Sequence, residues 1–325
     1  MKPTLLAVGL LVLALAVGFA VGQGSLADAA TRGVFLELRG LRMTCAGLAG
    51  AALAVAGVVM QGLFRNPLAS PSVLGTSAGA ALGGQIVVLL HGLLAGFLPL
   101  WLVPEMVLPL GCLLGAGVAL FALMLVVERV LRGGGDGLLA VLLTGVLLGS
   151  GFAALGALVT WFGQSSWEIG RTLVAFTLGG VDGKGPRHIA LALPLIATGI
   201  IAAWTWARPL DLLLSGDDEA AALGVEVPTV RHWLLVWTAV LTGTATAIGG
   251  GIAFVGLIVP HIVRPWCGPE HRTLIPVAAV VGAAFLIVCD TLCRAVPGGE
   301  LPLGVITGLL GTPLFLLLIL RLQRG

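Results

Sequence analysis

The chain has 325 residues, 58% of them hydrophobic and 10% charged, against roughly a quarter charged in ordinary soluble domains, and its mean hydropathy is +1.10. This composition excludes a soluble enzyme, a disordered protein and a nucleic-acid binder, and a net charge of +2 implies no polyanionic partner. With 49 Gly and no Tyr, and with Gly and Pro more frequent in membrane helices than in soluble ones, the sequence reads as lipid-embedded.

At about 20 residues per span, there is room for about ten spans. The prediction is a single all-α transmembrane domain over residues 1–325, a polytopic helical bundle. In chain order the apolar runs are 4–22, 43–64, 73–90, 104–127, 138–161, 188–207, 233–248, 252–263, 274–288 and 303–320. The first follows Lys2 and precedes an Ala27-Asp28-Ala29 site. Its roughly 19 residues exceed the roughly 7–15 of a signal-peptide core, so it is read as a retained helix. Long uninterrupted runs predict helices, because barrel strands would alternate over about ten residues. Several runs are too short for a full crossing, which predicts broken helices or continuation into the flanks.

An even count places both termini on one side. With the termini cytoplasmic, ten cations lie inside and seven outside (Arg32, Arg39, Arg42, Arg171, Lys184, Arg187 and Arg294), a slight positive-inside bias. The outer seven imply either contact with lipid headgroups or docking of an acidic partner. Three polar segments separate the runs. Residues 23–42 and 162–187 are placed outside, and the middle of the second, Trp167–Leu178, is predicted to be a short surface helix. Residues 208–231 lie inside and carry the densest charge. There Ser215 is expected to cap a short helix with Asp217, Asp218 and Glu219 in its first turn and Gly224 as its stop. A capped amphipathic helix between two spans reads as a contact surface more than as a simple connection.

Gly75-Thr76-Ser77-Ala78-Gly79 matches the G-x-S-x-G nucleophile elbow, but that elbow needs a strand before the serine. Here a proline-containing turn precedes it and a membrane helix follows. An intramembrane serine hydrolase using Ser77 stays as an alternative that requires a base beside it. The preferred reading is a small-residue face, Gly75, Gly79 and Gly83, along which helix backbones approach closely. The spacing recurs at Gly111/Gly115, Gly145/Gly149 and Gly304/Gly308. No catalytic residue is assigned. Gly183-Lys184 does not complete a phosphate loop, because Leu178 and Gly185 stand where Gly and Ser/Thr are needed. ATP and Mg would therefore belong to another chain, and no cofactor is expected on this one. The five cysteines (Cys45, Cys112, Cys267, Cys289, Cys293) form no C-x-x-C and no Cys/His cluster, so no metal site is indicated and they read as packing residues. An ion-coupled secondary transporter, the other alternative, should carry a titratable group mid-span. The candidates are Glu105, near a helix end, and Asp290, spaced to pair with Arg294.

Residues 38–84, 212–227, 250–276 and 289–320 contain QGLFRNPLA, LLLSGDDEAAALGVEV, FVGLIVPHIVR and GELPLGVITGLLGTP. In this order they resemble the FecCD-type permeases, the iron-chelate and cobalamin permease family of ABC importers. The resemblance implies ten helices per subunit in the bacterial inner membrane and a homodimer with the path on its axis. It also implies two cytoplasmic ATPase subunits and a periplasmic or lipoprotein substrate-binding protein. The coupling element of the family matches residues 215–227, with Ser215, Asp217, Asp218, Glu219, Ala222, Leu223 and Gly224. Its outer arginines match Arg39, Arg42 and Arg294, which would meet acidic side chains of the binding protein. Gly40-Leu41 departs from the usual Leu-Pro between the first two. The gate resembles residues 133–138, with Gly135, Asp136 and Gly137. The fifth helix would line the path through Thr144, Ser150 and Thr160, hydroxyls that could equally bond back to their own helix. The implied cargo is a ferric siderophore, haem or cobalamin, and no Tyr, Met or His cluster distinguishes among them.

Overall fold

A computed structural model describes residues 3–21, 29–72, 74–91, 104–132, 137–296 and 299–322. These form helices and connections, with no strand among the described residues. The helices are α1 (Pro3–Ala20), α2 (Ala29–Leu63), α3 (Thr76–Leu89), α4 (Pro104–Arg132), α5 (Gly137–Gly163), α6 (Trp167–Leu178) and α7 (Pro186–Thr205), then α8 (Ala207–Leu213), α9 (Asp217–Ala222), α10 (Val227–Gly249), α11 (Val255–Cys267), α12 (His271–Ala295) and α13 (Leu303–Leu322). Six of them, α1, α2, α4, α5, α7 and α12, are long and apolar enough to cross a membrane.

The bundle is built around α2 and α12, which pack antiparallel along glycine contacts. A Cβ on Gly50 would lie 2.1 Å from the Gly282 carbonyl oxygen, and one on Gly282 would lie 2.5 Å from that of Gly50. Lower on α2, a Cβ on Gly57 would meet the Gly256 carbonyl of α11 at 1.8 Å. A second seam joins α3 to α4, where Gly79 and Gly83 face Gly115 and Gly111, and Gly75 sits against Gly145 and Gly149 of α5. Such contacts bring backbones together where lipid offers no hydrophobic drive for helix association. Gly308 differs: nothing lies within 4 Å of its Cβ position, so the Gly304/Gly308 repeat packs through Gly304 alone.

Two apolar helices stop short. α3 and α11, with 14 and 13 residues, reach about 20 Å, less than the ~30 Å hydrocarbon core. α3 starts only after the chain has passed Pro67 and Pro71, and its first turn is tied back by Thr76 Oγ1 donating to the Pro71 carbonyl (2.9 Å). α11 follows Gly250-Gly251. The backbone opened there is closed by other segments: Gly180 N–H donates to Gly249 O (2.9 Å), Gly251 N–H to Phe176 O (3.0 Å) and Leu303 N–H to Gly179 O (2.9 Å). This junction of α6, α10 and α13 needs glycine, since a Cβ on Gly304 would meet Gly251 O at 2.1 Å and Leu178 O at 2.4 Å.

The sequence reading is corrected at α2. Residues 29–42, placed in an outer polar segment, are the first turns of the same helix that spans. Its arginines find internal partners, so the helix need not end where the charges begin. Trp167–Leu178 is a helix with the predicted bounds. One side of it is buried through Gly170 and Leu173, while Trp167 is exposed. α5 stands at the edge, packed on α3, α4 and α6, with Leu143, Leu147, Leu155 and Trp161 exposed.

The α2–α12 seam supplies a stability test. Gly50→Val forces the two backbones apart and should cost at least the roughly 1–3 kcal/mol of core overpacking. In detergent this should appear as a lowered thermal midpoint and loss of monodisperse protein. Gly117→Ala, where nothing lies within 4 Å, should leave both unchanged.

Candidate functional site

At one end of the bundle, α9 projects between α8 and α10. Arg65, in left-handed backbone (φ 45°) just past α2, donates through Nε to the Leu213 carbonyl (2.6 Å) and through Nη2 to Asp217 Oδ1. Arg231 of α10 donates to the same Asp217 oxygen at 2.9 Å. One carboxylate oxygen thus ties α9 to α2 and to α10. The N-cap is Gly216, with φ +139° and no side-chain cap, which corrects the assignment of Ser215. Ser215 instead closes a turn by donating its N–H to Leu212 O (3.2 Å). The φ of +139° at residue 216 is a backbone conformation that side-chain-bearing residues rarely adopt, so glycine is favoured there.

The other end of α9 is a Schellman cap: Gly224 is left-handed (φ +85°), its N–H donates to Ala221 O and that of Val225 to Ala220 O. Ala220 is buried, whereas Asp218, Glu219, Ala222 and Gly224 are exposed, and Leu223 is 65% exposed. The mount continues beneath, where Asp211 Oδ1 on α8 accepts the His271 N–H (3.0 Å) and lies 2.5 Å from its Nδ1. Gly62 leaves room for that ring, because a Cβ there would lie 2.6 Å from Nε2.

At the other end, Arg39, Arg42 and Arg294 turn inward. Arg42 Nε donates to Asp290 Oδ1 (2.8 Å) and its Nη1 to Glu300 Oε2 (2.7 Å). Arg294 Nε stands 3.1 Å from Asp290 Oδ2. Arg39 donates to the Phe19 carbonyl (2.6 Å) and Arg294 to that of Val21 (3.2 Å). The two cations therefore satisfy carbonyls that the end of α1 leaves unpaired. Arg39 and Arg294 are 6% and 5% exposed, so they are not a free rim for a partner, as the sequence reading had them. Arg42 and Glu300 form the edge of the network nearest solvent. Lys184, another of the outer cations, is half-buried in the turn between α6 and α7, and burial pushes its ammonium below the ordinary lysine range. Arg42 lies within α2, more than three turns after its start, and Arg65 just past its C-terminus, so the two are separated by about 35 Å of rise, slightly more than the ~30 Å hydrocarbon core.

The proposed pathway helix is α5. Thr144 is buried, while Ser150 and Thr160 donate to the carbonyls of Val146 and Gly156 at 2.9 Å, the back-bonded arrangement. Gly137 opens α5; Gly135 and Asp136 lie outside the described residues. Ser77 lies in the first turn of α3 with no strand before it. Among the described residues it makes no hydrogen bond to a histidine. Asp290 is buried and paired near the C-terminal end of α12 rather than isolated mid-span. Glu300, Asp211, His271 and the two arginines on Asp217 were not singled out from sequence. Their partners stand 14 to 258 residues away, and no local pattern announces them.

The chain is 37% identical over 293 residues to the Fe(3+) dicitrate transport system permease protein FecD of Escherichia coli (strain K12), covering 89% of this chain and 86% of that one. It is 37% identical over 289 residues to the hemin transport system permease protein HmuU of Yersinia pestis (89% and 83%). With the cobalamin import system permease protein BtuC of Halobacterium salinarum the figures are 36% over 279 residues (86% and 71%). A solved chain from an inward-facing ABC transporter described as of the metal-chelate type superposes with a TM-score of 0.83, at 27% identity and 97% coverage of both chains. An all-helical, multi-pass bundle with these relatives is a membrane permease of ABC transporters. The chain belongs to the FecCD transport family, whose model matches residues 4–321.

The outer network predicts an asymmetry between its two carboxylates. Asp290→Asn removes the buried carboxylate that Arg42 shares with the buried Arg294 and should cost about 3–5 kcal/mol. Glu300→Gln, at the exposed edge, should cost only about 0–1 kcal/mol. Thermal unfolding of the purified permease would rank them.

Proposed function

We propose that the chain is one half of a homodimeric importer of metal chelates in the bacterial inner membrane. Two cytoplasmic ATPase subunits would hold the ATP and Mg, and a substrate-binding protein would deliver cargo to the other face. The relatives named for ferric dicitrate, hemin and cobalamin support the chelate class. In this reading α1, α2, α3, α4, α5, α7, α10, α11, α12 and α13 make ten crossings. The end bearing α9 is cytoplasmic, and so are both termini, since α1 runs toward the Arg39–Arg294 network. The subunit itself is not a catalyst; it offers a path whose two faces open alternately.

The observation that carries this reading is α9. A six-residue helix is fixed at one end by two arginines on one carboxylate and at the other by a Schellman cap, yet it holds a leucine out in water. Rigidity with an exposed apolar side chain suits transmission of force to a partner. The proposed contact is Asp218, Glu219, Ala222, Leu223 and Gly224 in a cleft of the ATPase. The binding protein would dock at the opposite end, where Arg42 is the most exposed of the three networked arginines. α5, exposed along one side, would face its symmetry mate across the path, with Thr144, Ser150 and Thr160 on the pathway helix and Gly137 opening it at the cytoplasmic end.

Leu223→Asp should leave the permease folded and the complex able to hydrolyse ATP, while transport falls at least tenfold; undiminished uptake in proteoliposomes would refute the coupling role. Cysteines placed singly at Leu143, Leu147 or Leu155, in a background without native Cys, should crosslink into symmetric dimers in native membranes. Purely monomeric products would refute the axial path.

A further inference from the structure

Arg42 serves two carboxylates held on very different terms. Asp290 is on a helix, fully buried, and shared with Arg294. Glu300 lies between α12 and α13 and is 36% exposed, and its 2.7 Å contact with Nη1 is the edge of the network open to water. A guanidinium presents five N–H donors in a planar fork suited to carboxylates. The edge occupied by Glu300 is the edge that any carboxylate arriving from outside would take.

Glu300 also sits immediately before two fixed points. Leu301 N–H donates to Cys293 O (3.2 Å), and Leu303 N–H donates to Gly179 O (2.9 Å), in the α6–α10–α13 glycine junction. The Glu300–Arg42 pair is therefore a strut from that junction, at the start of α13, to α2.

We propose that Glu300 is an internal stand-in for a carboxylate of the docking protein: docking exchanges the partner's carboxylate for Glu300 on Arg42 and detaches the start of α13 from α2. The inference rests on the docking end assigned above. The exchange keeps the charge count at Arg42 constant, since one carboxylate replaces another and Glu300 turns to water. It is easily reversed, because an exposed ion pair holds its partners by at most about a factor of five. The arriving carboxylate gains over Glu300 because the docked protein shields the pair from water and salt. Asp290 does not exchange, because it is fully buried and its removal would strand the buried Arg294. The partner chemistry is an acidic protein surface with a Glu or Asp able to reach one guanidinium edge.

The test uses the full transporter, permease with ATPase subunits, in nanodiscs. The probe is the substrate-binding protein that raises ATP hydrolysis by the wild-type complex. An internal competitor makes an uncommon demand: Glu300→Gln should tighten docking several-fold, Arg42→Gln should weaken it at least tenfold, and the double variant should match Arg42→Gln. Docking that is unchanged or weakened in Glu300→Gln, with the wild type binding normally, overturns the exchange and leaves the docking end standing. A wild-type complex whose docking is indifferent to Arg42→Gln overturns both. A second measurement does not depend on removing either charge. Spin labels at Gly299→Cys and Gly40→Cys, in a Cys-free background, should move apart when the binding protein docks. A distance unchanged by saturating binding protein overturns the exchange.

Discussion

A helix that ends inside a hydrocarbon layer leaves backbone donors and acceptors that water cannot reach, and each must be paired by protein. The architecture follows from how this chain meets that demand. α3 and α11 begin part-way along the bundle, and the freed backbone is taken up by neighbouring segments rather than by solvent: Gly249 O by Gly180, Phe176 O by Gly251 and Gly179 O by Leu303. Those bonds require backbone to lie on backbone, so the junction is paved with glycine. The α2–α12 and α3–α4 seams extend the same solution. Breaks in helices create room for a path and glycine contacts seal the breaks, so the high glycine content and the short spans have one cause.

Between its ends the bundle is closely packed. α2 and α12 run side by side, tied by polar side chains at two levels: Arg42 to Asp290 at one, and Arg65, just past α2, and His271, at the start of α12, to the α8–α9 segment at the other. Along α10, Thr238, Thr242 and Thr246 return their hydroxyls to the preceding turn at 2.7–2.8 Å, which keeps a buried helix free of most unmet polar groups. Motion is then easiest where packing is thin, along α5 and the outer face of α13, whose Leu309 and Leu316 are exposed.

Local signals carried the sequence a long way. Apolar runs located the spanning helices, the Trp167–Leu178 helix was bounded correctly, and the Gly75-Gly79-Gly83 stripe is a close-approach face. Gly224 was readable as a stop because a left-handed terminus after an alanine run leaves few choices. The failures share a physical origin. Charge was taken as a sign of water, so residues 29–42 were placed outside the helix. In fact Arg39 and Arg294 are accommodated by carbonyls of α1, and Arg42 by acids some 250 residues away. Ser215 was assigned as a cap by residue type, but it closes the preceding turn and the helix starts one residue later, at the positive-φ Gly216. A hydrogen bond between distant segments leaves no period, spacing or composition to read.

The attachment of α9 has a mechanical consequence. Arg65 and Arg231 meet on a single oxygen of Asp217, so α9 is a yoke and not a tip fastened to one rod. A push on it meets two supports at one atom, one leading along α2 toward the far charge cluster and one along α10 toward the glycine junction. If the two shafts spread, that oxygen loses one guanidinium. The yoke therefore stays whole only while the lower ends of α2 and α10 keep their spacing, which makes α9 a gauge of that spacing as well as a handle on it.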